Sequence, residues 1–218
     1  MIDFENRGPN SSRILTGSNT ASASSGTNTD VWTFASLSIG AQDDTRVIVV
    51  ALAGASGAGA TSVTVGGTSC TRINGQFAIG FTAIWWCEKT DAATTADVVV
   101  TLPASSSRMG VGIYRIVSDN GTFPEVYDSE NNNATGSPAT LSVSVDTKAD
   151  GYAIACGAGS DAGALTWNSP FTKHLDTDYG GESQRGTSAS YSVTTTETKT
   201  MTQTCADANL AMAAASFY

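Results

Sequence analysis

Apolar positions along this chain come in short runs rich in Val, Ile, Phe, Trp and Thr, each cut off by Gly, Asn, Asp, Ser or Pro. That rhythm predicts strand after strand, because β-branched and aromatic side chains fit a pleated surface and the interrupting residues supply turns. The predicted strands cover 31–39, 45–53, 61–66, 77–87, 96–102, 109–117, 123–128, 139–145, 151–157, 171–176, 187–195, 198–204 and 209–218. Leu141, Val143 and Val145 alternate with Ser142 and Ser144, the period of a strand with one wet face. Arg46, by contrast, is followed by Val47-Ile48-Val49-Val50-Ala51-Leu52-Ala53, apolar on both faces, which predicts a central strand covered on both sides.

No segment of twelve or more residues carries the 3.6-residue apolar stripe of a helix. The Ala-rich ending Asn209-Leu210-Ala211-Met212-Ala213-Ala214-Ala215-Ser216-Phe217-Tyr218 has helix propensity, but it is short for an isolated helix and is read as a strand. The expected fold is therefore all-β: a two-layer antiparallel β-sandwich, jelly-roll-like, built from residues 31–218 as a single domain. Val47, Val49, Ile84, Val99, Ile113 and Ile154 are its expected buried positions. Residues 1–30 read as an extended polar N-terminal arm whose apolar anchors, Ile2, Phe4, Ile14 and Leu15, are expected to contact another chain, since so polar a segment cannot offset its own ordering entropy.

Composition narrows the function. The chain of 218 residues carries 11 Lys and Arg against 20 Asp and Glu, a formal net charge of -9, with no basic cluster. This opposes nucleic acid, whose backbone is bound by gathered cations. The longest apolar run, Val47 to Ala53, is of strand length, so no membrane insertion is expected. Met1 to Arg7 lacks the pattern of a secretory leader, and Cys70, Cys87, Cys156 and Cys205, each in or beside a strand, are expected to be reduced and mostly buried.

Chemistry-bearing motifs fare poorly against plainer readings. Gly54-Ala55-Ser56-Gly57-Ala58-Gly59 follows the strongest strand as a dinucleotide-binding turn would, but the third Gly is missing and Val63-Thr64-Val65 alternation follows in place of a helix. Gly157-Ala158-Gly159-Ser160-Asp161-Ala162-Gly163 repeats the theme and is likewise a loop. His174 is the single histidine, which removes any multi-histidine zinc site and leaves a serine triad without an elbow motif. Asp176-Thr177-Asp178-Tyr179-Gly180 resembles the start of a calcium loop, yet Glu182 alone does not complete six oxygens. Nothing selects a catalytic pair among Asp43, Asp44, Glu125, Asp128, Glu130, Asp176, Asp178 and Glu182. No catalytic, metal or cofactor residue is assigned, and no cofactor is expected. Trp85 shares a strand face with Phe81, Ala83 and Cys87 and is read as core; Trp86, on the opposite face, is the candidate for stacking on a glycan.

Taken in order, Asp44-Thr45-Arg46-Val47-Ile48-Val49-Val50, Thr61-Ser62-Val63-Thr64-Val65-Gly66-Gly67-Thr68, Ala83-Ile84-Trp85-Trp86, Asp97-Val98-Val99-Val100-Thr101, Val111-Gly112-Ile113-Tyr114 and Ala213-Ala214-Ala215-Ser216-Phe217 resemble a group of β-sandwich proteins of tailed bacteriophages. The resemblance spans roughly residues 31–218. It implies a virion component, a head decoration or tail-surface protein, made in the bacterial host cytoplasm. Other virion proteins and further copies of the chain would be its partners, with a host glycan as the alternative ligand. No enzymatic activity comes with the resemblance.

Overall fold

A computed structural model describes residues 13–55, 59–76, 80–106, 108–135, 139–159, 165–178, 184–205 and 209–218. Ile2 and Phe4 lie outside the described residues, as do parts of the two glycine-rich loops and Tyr179, Gly180 and Glu182. The strands are β1 (Leu15–Ser25), β2 (Thr29–Ser38), β3 (Val47–Gly54), β4 (Ser62–Val65), β5 (Thr68–Ser69), β6 (Thr71–Gln76), β7 (Phe81–Glu88), β8 (Thr95–Ser106) and β9 (Met109–Ser118). After a connection they continue as β10 (Val126–Ala134), β11 (Ala139–Thr147), β12 (Tyr152–Gly159), β13 (Thr166–Trp167), β14 (Thr172–Asp178), β15 (Arg185–Ser192), β16 (Glu197–Cys205) and β17 (Leu210–Phe217). No helix occurs among the described residues, and the C-terminal Ala-rich segment is β17.

The strands form four sheets, ordered β1-β9-β3-β7-β6, β2-β8-β4-β5, β10-β17-β12-β15-β14 and β11-β16-β13, every pairing antiparallel. The first two enclose one apolar core, with Trp32, Phe34, Ile48, Val50, Leu52, Trp85, Val98 and Val100. The last two enclose a second, with Leu141, Val143, Val145, Ala153, Ala155, Met201 and Met212. The expected all-β sandwich is present, and it is present twice.

The two lobes share one topology. If β10, β11, β12, β13, β14, β15, β16 and β17 are set against β1, β2, β3, β4, β6, β7, β8 and β9, both sheet orders coincide, with β5 the one extra strand. Register coincides too. Val47 lies opposite Glu88 and Ile116 and Gly54 opposite Phe81 and Met109; Tyr152 lies opposite Ser192 and Phe217 and Gly159 opposite Arg185 and Leu210.

A third core joins the lobes. Val47, Val49, Ala51, Ile84, Tyr114 and Ile116 of the first five-stranded sheet pack on Tyr152, Ile154, Cys156, Ala213, Ala215 and Phe217 of the second. Strand β1 lies over β14, β9 over β15, β3 over β12, β7 over β17 and β6 over β10. Because β6 corresponds to β14 and β7 to β15, this is the exchange of partners that an approximate two-fold axis through β3 and β12 produces. The stack has four layers, and β3 and β12 are covered on both faces, which is why the Val47–Gly54 run needs no polar side.

Two expectations need correction. From Leu15 the expected arm is strand β1, an edge strand paired with β9 from Leu15–Ser118 to Ser25–Met109. Leu15 is buried in the third core of its own chain, while Ile14 remains exposed. The ordering entropy of this polar edge strand is offset by backbone hydrogen bonds to a neighbour already in place, which ask little of its side chains. Val99 is not core either: it sits on the outer face of its sheet, between buried Val98 and Val100. Val47, Val49, Ile84, Ile113 and Ile154 are buried as expected.

Candidate functional site

The residues with most chemistry converge where the edges β1 and β14 overhang the third core. A groove of about 500 Å³ opens there, lined by Gly17, Tyr152, Pro170, Thr172, His174 and Ser190 among others. Gly17 makes the opening possible: a Cβ at that position would sit 2.5 Å from the Tyr152 ring. His174 reaches the groove through a bulge, since pairing of β14 with β15 jumps from Lys173–Ala189 to Leu175–Ser188 and leaves His174 as the extra residue. A bulge re-aims one side chain out of the strict alternation.

Three side chains then form a chain of hydrogen bonds. The Tyr152 hydroxyl donates to Ser190 Oγ at 2.6 Å, and Ser190 Oγ lies 2.8 Å from His174 Nε2. Burial pulls the His174 imidazolium below its ordinary value, so the ring is neutral at neutral pH and its Nε2 shares a hydrogen bond with the Ser190 hydroxyl. Tyr114 meets His174 edge-on at 5.6 Å and donates to Ser188 Oγ at 2.8 Å. Burial pushes both phenols up, so they act as donors throughout the neutral range.

The serine–histidine contact has the geometry of a nucleophile and its base, but Ser190 Oγ already accepts a hydrogen bond from Tyr152, which withdraws electron density from the atom that would attack. The nearby carboxylate, Asp176, is occupied by Lys173 and Arg185. What the arrangement offers is an uncharged, hydroxyl-lined surface with one neutral imidazole. In the sequence His174 has no evident partner; Ser190 and Tyr152 carry no motif, and it takes the pairing of β15 with both β14 and β12 to bring them to it.

Trp86 lies elsewhere. Its half-buried indole packs against the third core and borders a groove of about 380 Å³ with Thr68, Ser69, Thr71, Cys87 and Glu88. Trp85 is in the first core with Phe81, Ala83 and Cys87, as its strand face implied. Asp176, singled out as the start of a calcium-like turn, lies within strand β14, and no cluster of three metal-ligating side chains occurs among the described residues.

Compared with known proteins, the chain matches no family model and no curated protein. No helix of the described residues is long and apolar enough to cross a membrane.

Proposed function

We propose that the chain is a non-enzymatic structural protein of a tailed-bacteriophage virion, most economically a decoration protein on the head, made in the bacterial host cytoplasm and contacting other virion proteins and further copies of itself. The observation that supports this reading best is the third core. Two sandwiches joined through their five-stranded sheets make one continuous block, in which the layer between the lobes is packed with Val, Ile, Tyr and Phe. Such a block is suited to bearing contacts on its outside. The outer sheet of the second lobe presents cross-strand hydroxyl pairs between β11 and β16, Ser142 with Thr202 at 2.9 Å and Ser144 with Thr200 at 2.8 Å, which suit a hydrogen-bonded rather than an apolar interface. The virion setting itself rests on the resemblance of the chain's motif order to phage sandwich proteins.

Purified particles test this. A fixed copy number relative to the major capsid protein, with antibody labelling over the head, is the expected result. Absence from particles overturns the structural reading, and labelling confined to the tail overturns decoration.

The groove at His174 favours a second reading, a binding module for a neutral host-surface glycan, because its lining pairs hydroxyls with aromatic edges and holds no net charge. Saturable binding on a glycan array, lost with His174→Ala, supports it; loss with Trp86→Ala instead would move the site to the smaller groove.

A further inference from the structure

We propose that Cys70 and Cys87 are an oxidisable pair that closes to a disulfide, stapling the β5–β6 corner of the first lobe to β7. The pairing of β6 with β7 begins at Thr71–Trp86, so the preceding residue, Cys70, stands across from Cys87 in the continuing register. The Cys70 amide, bonded to the Val63 carbonyl at 2.9 Å, fixes the backbone there. The two sulfurs lie 3.0 Å apart, with the Cys70 thiol donating to Cys87. Residues directly opposite on antiparallel strands have Cα separations within the range a disulfide spans, so closure needs side-chain adjustment and no backbone movement.

The surroundings suit the reaction as well as the geometry does. Lys89, two residues beyond Cys87, is held by Thr68 at 3.2 Å and Asp91 at 2.6 Å. The hydrogen bond from Cys70 draws the Cys87 thiol below its ordinary value; burial opposes this, and the Lys89 ammonium adds to it. Cys87 borders the open groove beside Trp86, which gives a small oxidant a way in.

With oxidised glutathione as the oxidant, the Cys87 thiolate attacks one of its sulfurs and expels a glutathione thiolate, leaving a mixed disulfide. Cys70 then loses its proton and attacks Cys87 Sγ, expelling the second glutathione. Both cysteines are oxidised, one glutathione disulfide becomes two glutathione thiols, and the protein is lighter by two hydrogens. A reducing cytoplasm holds the dithiol and an oxidising medium the disulfide. Cys156, fully buried and pushed up to about 12 by that burial, has no part in it.

The test uses the full chain, purified reduced and incubated across ratios of oxidised to reduced glutathione. Trypsin cuts after Arg72 and after Lys89, so the two cysteines fall on different peptides. The expected result is a Cys70–Cys87 linked peptide under non-reducing conditions, together with a rise in the melting temperature that a Cys70→Ser variant does not show. In that variant glutathione should accumulate on Cys87, since no resolving thiol remains. Failure to find the linked peptide at the most oxidising ratio, or stable glutathione on Cys87 of the unaltered chain, overturns the proposal. The half-buried Cys70 is the position varied because its loss leaves the core side chain Cys87 in place.

Discussion

The two lobes reach one topology with opposite distributions of bulk. In the first, the central strand turns Ile48, Val50 and Leu52 toward the outer sheet, where Val98 and Val100 receive them. In the second, the corresponding positions are Ala153, Ala155 and Gly157, and the outer strand supplies Met201 and Gln203 instead. A Cβ at Gly157 would lie 2.2 Å from Gln203 Oε1, so the long side chain occupies space that Leu52 fills from the other direction in the first lobe. Register and alternation are common to both; residue sizes are not. The comparison teaches that this fold is specified by which face each position takes, with the volume between layers conserved and the layer that supplies it free to change.

The entry to the central strand shows the sharpest contrast. Before β3 stands Arg46, wholly buried, its guanidinium donating to the carbonyls of Lys89, Gly40, Ala93 and Asp91. Before β12 stands Gly151, whose missing Cβ lets the Phe217 and Lys148 carbonyls come close, while its own backbone bonds to Lys148 and Val193. Arg46→Met should therefore be the most damaging single change, costing about 4 kcal/mol because several carbonyls lose their donor at once. Chemical denaturation measures this; a loss under about 1 kcal/mol would mean that water replaces the guanidinium.

The seam between the lobes should be next most sensitive. Gly17→Val drives a side chain into the Tyr152 ring, 2.5 Å from where its Cβ would stand, and should cost about 2 kcal/mol by overpacking. If the lobes are one rigid body, unfolding of this variant stays a single transition. Two resolved transitions would show that the third core joins them more weakly than either lobe's own core.

Much of the fold was legible in the sequence, because alternation at Leu141–Val145 and two-sided burial at Val47–Ala53 are local consequences of layering. The duplication was not. Phe81-Thr82-Ala83-Ile84-Trp85-Trp86 and Arg185-Gly186-Thr187-Ser188-Ala189-Ser190 occupy corresponding strands with no residue type in common at matched positions. The available hint was the pair of Gly-Ala loops, each following a central strand at Gly54 and Gly159. Strand β1 was illegible because its stability lies in backbone pairing, and the His174 groove because a bulge and two separate strands assemble it.

Gln203 is where the second lobe's exchange of bulk is imperfect. It is fully buried, and neither atom of its amide has a hydrogen-bond partner among the described residues. The outer strand of the first lobe carries valines, Val98 and Val100, on its core face instead. Gln203→Met keeps the length and removes the unpartnered polar group, so it should raise stability by about 1–2 kcal/mol. An unchanged or lowered denaturation midpoint would show that the amide is satisfied by a buried water.

The smallest expected effect separates the lobes by pH. Asp176 on the edge strand β14 binds Arg185 and Lys173. Burial raises its carboxyl, but the hydrogen bonds and charges of Arg185 and Lys173 outweigh this and hold it below the ordinary aspartate value. A lowered folded value means that the contribution is present in full above the unfolded value, about 3.9, and is lost as pH falls through the folded one. The carboxylate is about one-fifth exposed, so solvent screening limits the effect to about 1 kcal/mol or less. The first lobe has ion pairs of its own, Asp43 with Arg115 and Asp91 with Lys89 and Arg46, but these carboxylates stand in the loops before β3 and after β7, and the Arg46 clamp leans chiefly on carbonyls, which do not titrate. Hydrogen exchange followed down from about pH 5 should therefore show β14 losing protection before β3 and β7, and Asp176→Asn should remove that pH dependence while lowering protection of β14 near neutrality. Equal acid sensitivity in the two lobes, or an Asn variant that keeps the pH dependence, would assign the acid response to other carboxylates.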